Sequence, residues 1–112
     1  MDVVKTMRYK FVRYCVNRAY ASMDLSGVPA EVLNVFDDVV NQIRDLERYF
    51  TSVDAIARAL RADLPERLKT LKERDPKLAQ TFMKKVVENC QELEEVADSK
   101  IMEYLQEILK SL

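Results

Sequence analysis

Residues 2–23 constrain this chain more than any other stretch. They read DVVKTMRYKFVRYCVNRAYASM, and the spacing predicts one helix carrying two apolar seams. Val4, Met7, Phe11 and Tyr14 recur at intervals of three and four, and so do Tyr9, Val12, Val16, Ala19 or Tyr20, and Met23. At 3.6 residues per turn the two seams lie on different faces. Asp2, Thr6, Lys10, Arg13, Asn17 and Asp24 are left to share a narrow polar strip. A helix that is apolar over most of its girth has to be covered on several sides, by the rest of the chain or by a partner.

The covering helices follow in order. The only glycine lies in Asp24-Leu-Ser-Gly-Val-Pro29, which marks the first break, and Pro29 suits the opening of a new helix. That second helix is predicted from about residue 30 to 50. Val32, Phe36, Val39, Ile43, Leu46 and Phe50 form one narrow seam for packing along a neighbour. Thr51 or Ser52 offers a hydroxyl cap to a short third helix over about 53–62, with Ile56 and Leu60 inward. Asp63 and Glu66 frame the start of a fourth, with Leu64, Leu68 and Leu71 as its apolar face. Asp75-Pro76 caps and opens a fifth, with Ala79, Phe82, Val86, Cys90 and Leu93 inward. Neither Gly nor Pro stops it before Leu112. A continuous helix of that length would be too long for so small a domain, so a break is expected near Asp98-Ser99. No period-two strand pattern occurs. The fold expected is all-α: residues 1–112 as a single-domain bundle of five or six helices, with the N-terminal helix central.

With 112 residues, 33% of them charged and 48% hydrophobic, the chain suits one globular domain with a core of its own. No apolar run approaches the roughly 18 residues that a membrane span requires. The N-terminus lacks the apolar stretch of a signal peptide, so a cytoplasmic location is expected. The two cysteines, Cys15 and Cys90, are read as buried thiols kept reduced. A disulfide joining the first helix to the C-terminal part of the chain is the alternative.

The net charge of −1 conceals sorting along the chain. Residues 1–23 set five bases against Asp2, and residues 58–85 set nine bases against four acids. Residues 24–57 and 86–112 each hold seven acids against two bases. One reading is that basic and acidic helices neutralise each other across the bundle surface, with exposed pairs contributing little. The other is that the basic blocks expose strips that attract a phosphate backbone and release its counterions. The candidates for such contacts are Lys10, Arg13, Arg58, Arg61, Lys69, Lys72, Lys84 and Lys85. Arg and Tyr interleave in the first helix (Arg8-Tyr9, Arg13-Tyr14, Arg18 with Tyr20), which suits backbone contact with some base stacking. Tyrosines so spaced equally serve as core residues with a wet hydroxyl. Arg18 lies on the first seam, where it either snorkels past the bundle's end or pairs with Asp37 or Asp38.

Absent residue types exclude much chemistry. With no histidine there is no imidazole base, no Cys-His nucleophile and no zinc site of the usual kind. One glycine cannot build a phosphate-cradling loop. Glu88, Glu92 and Glu95 share a helical face, read as a solvated ridge rather than a cation site. No catalytic residue is assigned, no cofactor or metal is expected, and the chain is expected to work by binding.

Size, near absence of glycine, a basic-aromatic first helix and the stretch Ser52-Val-Asp-Ala-Ile-Ala-Arg-Ala-Leu60 resemble the small, all-helical, non-catalytic subunits of archaeal-type CRISPR effector complexes. The resemblance implies a subunit that packs against copies of itself or other subunits and touches nucleic-acid backbone without cutting it. It transfers no site residue, because such subunits share no catalytic motif. The competing expectations are a homo-oligomeric structural or adaptor protein without nucleic acid, and a helical viral coat protein. Neither a membrane nor a small-molecule substrate is expected as a partner.

Overall fold

The computed structural model describes residues 3–46, 52–62, 64–93 and 99–112, with side chains from residue 12 onward except that of Val53. Among these residues every regular element is a helix. They are α1 (Val3–Ala21), α2 (Ala30–Arg44), α3 (Val53–Ala62), α4 (Leu64–Arg74), α5 (Pro76–Gln91) and α6 (Ser99–Ser111). The all-α, single-domain bundle expected from the sequence is what forms.

Local chemistry places the boundaries. After α1, the backbone N–H of Ser26 donates to Asp24 Oδ1 at 3.1 Å. Gly27 follows at φ +79, a conformation in which a Cβ would be strained. Pro29 occupies the N-cap of α2. The Ser52 hydroxyl accepts from the Ala55 N–H at 3.1 Å and caps α3. Asp75 alone separates α4 from α5, and its Oδ1 accepts from the Leu78 N–H at 3.0 Å with Pro76 as the first helical residue. The expected cap Asp63 and the Thr51 hydroxyl lie outside the described residues, as does Phe50 at the end of the α2 seam. The expected separate last helix begins at Ser99, and residues 94–98 before it lie outside the described residues. The helix α5 ends at Gln91 and turns at Glu92 and Leu93, so Leu93 packs on the core from beyond the helix end.

Side-chain pairings between helices fix the topology. Cys15 meets Cys90 and Lys85 meets Ser22, so α1 and α5 are antiparallel. Arg74 meets Glu31, while Gln42 shares a recess with Glu66 and Thr70, so α2 and α4 are antiparallel. The helices α1, α2, α4 and α5 therefore make a closed up-down-up-down ring, with α1 against α2, α2 against α4, α4 against α5, and α5 back against α1. The helix α6 packs on α5 and α3, and α3 also meets α1 and α4. Asp54 pairs with Lys100 and Arg61 lies over Tyr104, so α3 and α6 run parallel.

Phe36 of α2 and Phe82 of α5 meet edge-to-face across the ring, centroids 5.1 Å apart, and both are fully buried. Such a pair contributes about 0.5–1.5 kcal/mol beyond its buried area. Around it lie Val12, Val16 and Ala19 of α1, Val39 and Ile43 of α2, Leu68 and Leu71 of α4, and Met83 and Val86 of α5. The second seam of α1 is thus the one that enters the core. Of the first seam, Tyr14 is 41% exposed, while the side chains of Val4, Met7 and Phe11 lie outside the described residues.

One expectation is corrected, and one pair of alternatives is decided. Cys15 and Cys90 are a disulfide, not reduced thiols: the ring brings their Cα atoms to 5.3 Å with both side chains fully buried. Arg18 makes no buried pair with α2. It donates to the Tyr14 hydroxyl at 2.8 Å one turn back and lies over that ring, on the exposed side of α1. Asp37 instead accepts from the Tyr20 hydroxyl at 3.1 Å.

Candidate functional site

The eight candidate cations sit on four helices, and the ring separates them. Lys10 lies on α1 with its side chain outside the described residues, and Arg13 is exposed on the same helix. Lys69 and Lys72 lie on α4, diagonally across the ring from α1. Outer faces of diagonal helices point apart, so among the described residues Lys69 and Lys72 share no strip with Arg13. Lys84 is exposed on the outer face of α5.

Two of the eight are engaged at helix ends. Lys85 Nζ donates to the Ser22 carbonyl and hydroxyl, at 3.4 and 3.3 Å, just beyond α1. Lys72 Nζ donates to the Ser111 carbonyl at 3.2 Å, at the end of α6. A cation there satisfies carbonyls that have no helical partner and complements the helix dipole. These lysines are built into the fold's own electrostatics.

Arg58 and Arg61 are the pair that the structure brings together with further chemistry. They project from one side of α3 toward α6. Asp54, Ala57, Arg58, Lys100 and Tyr104 line a recess of about 250 Å³ between the two helices. The Arg61 guanidinium carbon lies 5.5 Å from the centre of the Tyr104 ring. That contact is electrostatically favourable through the ring's quadrupole. Lys100 Nζ is 3.2 Å from Asp54 Oδ1, both groups being well exposed, so this ion pair contributes about 0–1 kcal/mol at most. Tyr104 is half-buried, its ring packed against the core. The recess thus combines two cations, Arg58 and Lys100, one carboxylate and one aromatic ring anchored from below, with Arg61 as a third cation over that ring.

Sequence reasoning named Arg58 and Arg61 but missed Lys100 and Tyr104. Both stand in the acidic block 86–112, where the net balance masks them. Their spacing of four on an amphipathic helix was the available signal, since it puts them on one face.

Other recesses carry less chemistry. One of about 340 Å³ at the end of α1 is floored by Met23, Val28 and Leu78 and crossed by Lys85. Another, between α2 and α4, holds Gln42, Arg67 and Thr70. Among the described residues no group of three or more cysteines and acids is placed to hold a metal ion. The ridge expected from Glu88, Glu92 and Glu95 falls partly outside the described residues. No described helix is long and apolar enough to cross a membrane. Comparison with family models, curated proteins and solved structures finds no match to this chain.

Proposed function

We propose that this chain is a non-enzymatic helical subunit of a nucleoprotein assembly, contacting nucleic-acid backbone through the α3–α6 face. The observation that carries this is the clustering of Arg58, Arg61 and Lys100 around Tyr104. Guanidinium and ammonium groups neutralise phosphates, and an anchored aromatic beside them offers a stacking surface. A small subunit of a CRISPR effector complex is one specific form of this proposal. Its cytoplasmic setting is part of the same reading. Disulfides are rare in reducing compartments, and full burial of the Cys15–Cys90 pair keeps it from soluble thiols there.

Fluorescence anisotropy with labelled DNA and RNA oligonucleotides tests the reading. Binding is expected to weaken steeply between about 50 and about 200 mM salt. Reversing Arg58 and Arg61 together to Glu is expected to lower the salt slope by about one per lost phosphate contact. The same change at Lys84, on another face, should leave it in place. Absence of binding to every oligonucleotide, or equal loss in the Lys84→Glu variant, refutes the proposal.

A second reading, assembly with further copies of this chain, is favoured by the exposure of Tyr14 on the outer side of α1. Its ring stands in sequence register with Val4, Met7 and Phe11. Mass measurement in solution, with and without oligonucleotide, distinguishes copies that self-associate from copies gathered by nucleic acid.

A further inference from the structure

The shape of the α3–α6 recess bears on which nucleic acid it accepts. A duplex presents phosphates along a broad cylinder and hides the faces of its bases, so proteins meet it with a long basic strip or an element that enters a groove. Neither is present among the described residues. The cations are divided among four helices, and Lys72 and Lys85 are turned onto helix-end carbonyls. Arg58 and Lys100 instead line a concavity of about 250 Å³ with the Tyr104 ring in its wall. One splayed base fits a space of that size, whereas a duplex, with its base faces hidden, offers it only phosphates.

Asp54 points the same way. A carboxylate on the rim of a pure phosphate site would repel its ligand. Beside a base or a ribose it accepts a hydrogen bond from an exocyclic amine or a hydroxyl. Lys100, 3.2 Å from Asp54, keeps that carboxylate oriented. Arg61 already lies over the Tyr104 ring at 5.5 Å, so planar groups are gathered at the site before any ligand arrives.

Resting on the binding function proposed above, we infer that the α3–α6 recess selects single-stranded nucleic acid. One unstacked base takes the place over Tyr104 that the Arg61 guanidinium holds in the free protein, beside Asp54, and Arg58, the displaced Arg61 and Lys100 hold the flanking phosphates. Three phosphate contacts on a single strand correspond to a slope of log K against log salt of about −2.

The test compares a labelled pyrimidine single strand, as DNA and as RNA, with a duplex of equal length, over a salt series. The single strand is expected to bind at least about ten-fold tighter, the size of one base–aromatic stack. Tyr104→Phe is expected to retain that preference and Tyr104→Leu to lose it while duplex binding stays unchanged. Circular dichroism establishes that each variant is folded. Independently of any variant, ultraviolet crosslinking of a 4-thiouridine strand to the native protein, mapped by mass spectrometry, is expected to mark Tyr104 or its α3–α6 neighbours. Equal affinity for single strand and duplex, with salt dependence intact, overturns this inference and leaves the proposed function standing. Crosslinks confined to other helices overturn it as well. No binding to any oligonucleotide removes both.

Discussion

At the scale of single residues, the tyrosines of α1 show how one residue type takes different roles through position alone. Tyr14 and Arg18 satisfy each other on the exposed side of the helix. Tyr20, two steps further round, stacks on Phe36 with centroids 5.7 Å apart and donates to Asp37, tying α1 to α2. That hydrogen bond is the main cause that raises the Tyr20 phenol above its ordinary range, with burial adding to it. A raised folded-state value means the contribution is fully present at neutral pH and fades as the phenol ionises at alkaline pH. Tyr20→Phe is expected to cost no more than about 1 kcal/mol at neutral pH. The gap between wild type and variant should narrow as pH rises through the phenol's folded-state value. Urea melts at neutral and strongly alkaline pH measure the difference, and a gap that widens with pH would contradict the assignment. Sequence spacing alone left Tyr20 open between a core role and a ligand contact. The deciding fact is the neighbour Asp37, which only the packing of α1 on α2 supplies.

At the scale of elements, the parts of the chain governed by local rules were legible and those governed by distant packing were not. The strict three-four seam of α2 predicted its buried face: Val32, Phe36, Val39, Ile43 and Leu46 are all buried. Asp75-Pro76 predicted a helix start because capping and the fixed proline φ act within four residues. Replacing Asp75 by Ala removes the acceptor for the Leu78 N–H and is expected to cost about 1 kcal/mol, whereas Asn should cost far less. Chemical denaturation of the two variants tests this, and equal losses would show that the cap is idle. The start of α6 at Ser99 was legible in Asp98-Ser99, whereas the turn that ends α5 was not, for the converse reason. No Gly or Pro stands near Gln91, and the turn at Glu92–Leu93 accompanies the packing of α6 back onto α5. The candidate site divides along the same line. Arg58 and Arg61 were visible as charge on an amphipathic helix, while Lys100 and Tyr104 join them only because α6 runs parallel beside α3.

At the scale of the whole molecule, the ring has four seams, and one is unlike the rest. Contacts α1–α2, α2–α4 and α4–α5 join helices close in sequence, whereas α5–α1 joins segments 75 residues apart at the disulfide. Bringing such distant segments together carries the largest loop-closure entropy of the four. The Cys15–Cys90 bond removes that cost by restricting the unfolded chain. For a loop of 75 residues the chain-entropy relation gives about 4.5 kcal/mol. Against a total stability of roughly 5–15 kcal/mol for a domain of this kind, that is a large share. The reduced protein is therefore expected to unfold at a much lower urea concentration than the oxidised one. Reduced wild type is the cleaner comparison, and Cys15→Ala/Cys90→Ala adds the loss of two buried sulfurs to the same effect. Because both side chains are fully buried, the folded oxidised protein should also resist dithiothreitol until urea opens the ring. Alkylation and mass measurement read the thiol count at each urea concentration. Rapid reduction in the absence of urea would mean that the α1–α5 seam opens readily, whereas coincident melts for oxidised and reduced chains would mean that it holds without the bond. The second apolar seam of α1 would then be closing the ring through packing alone.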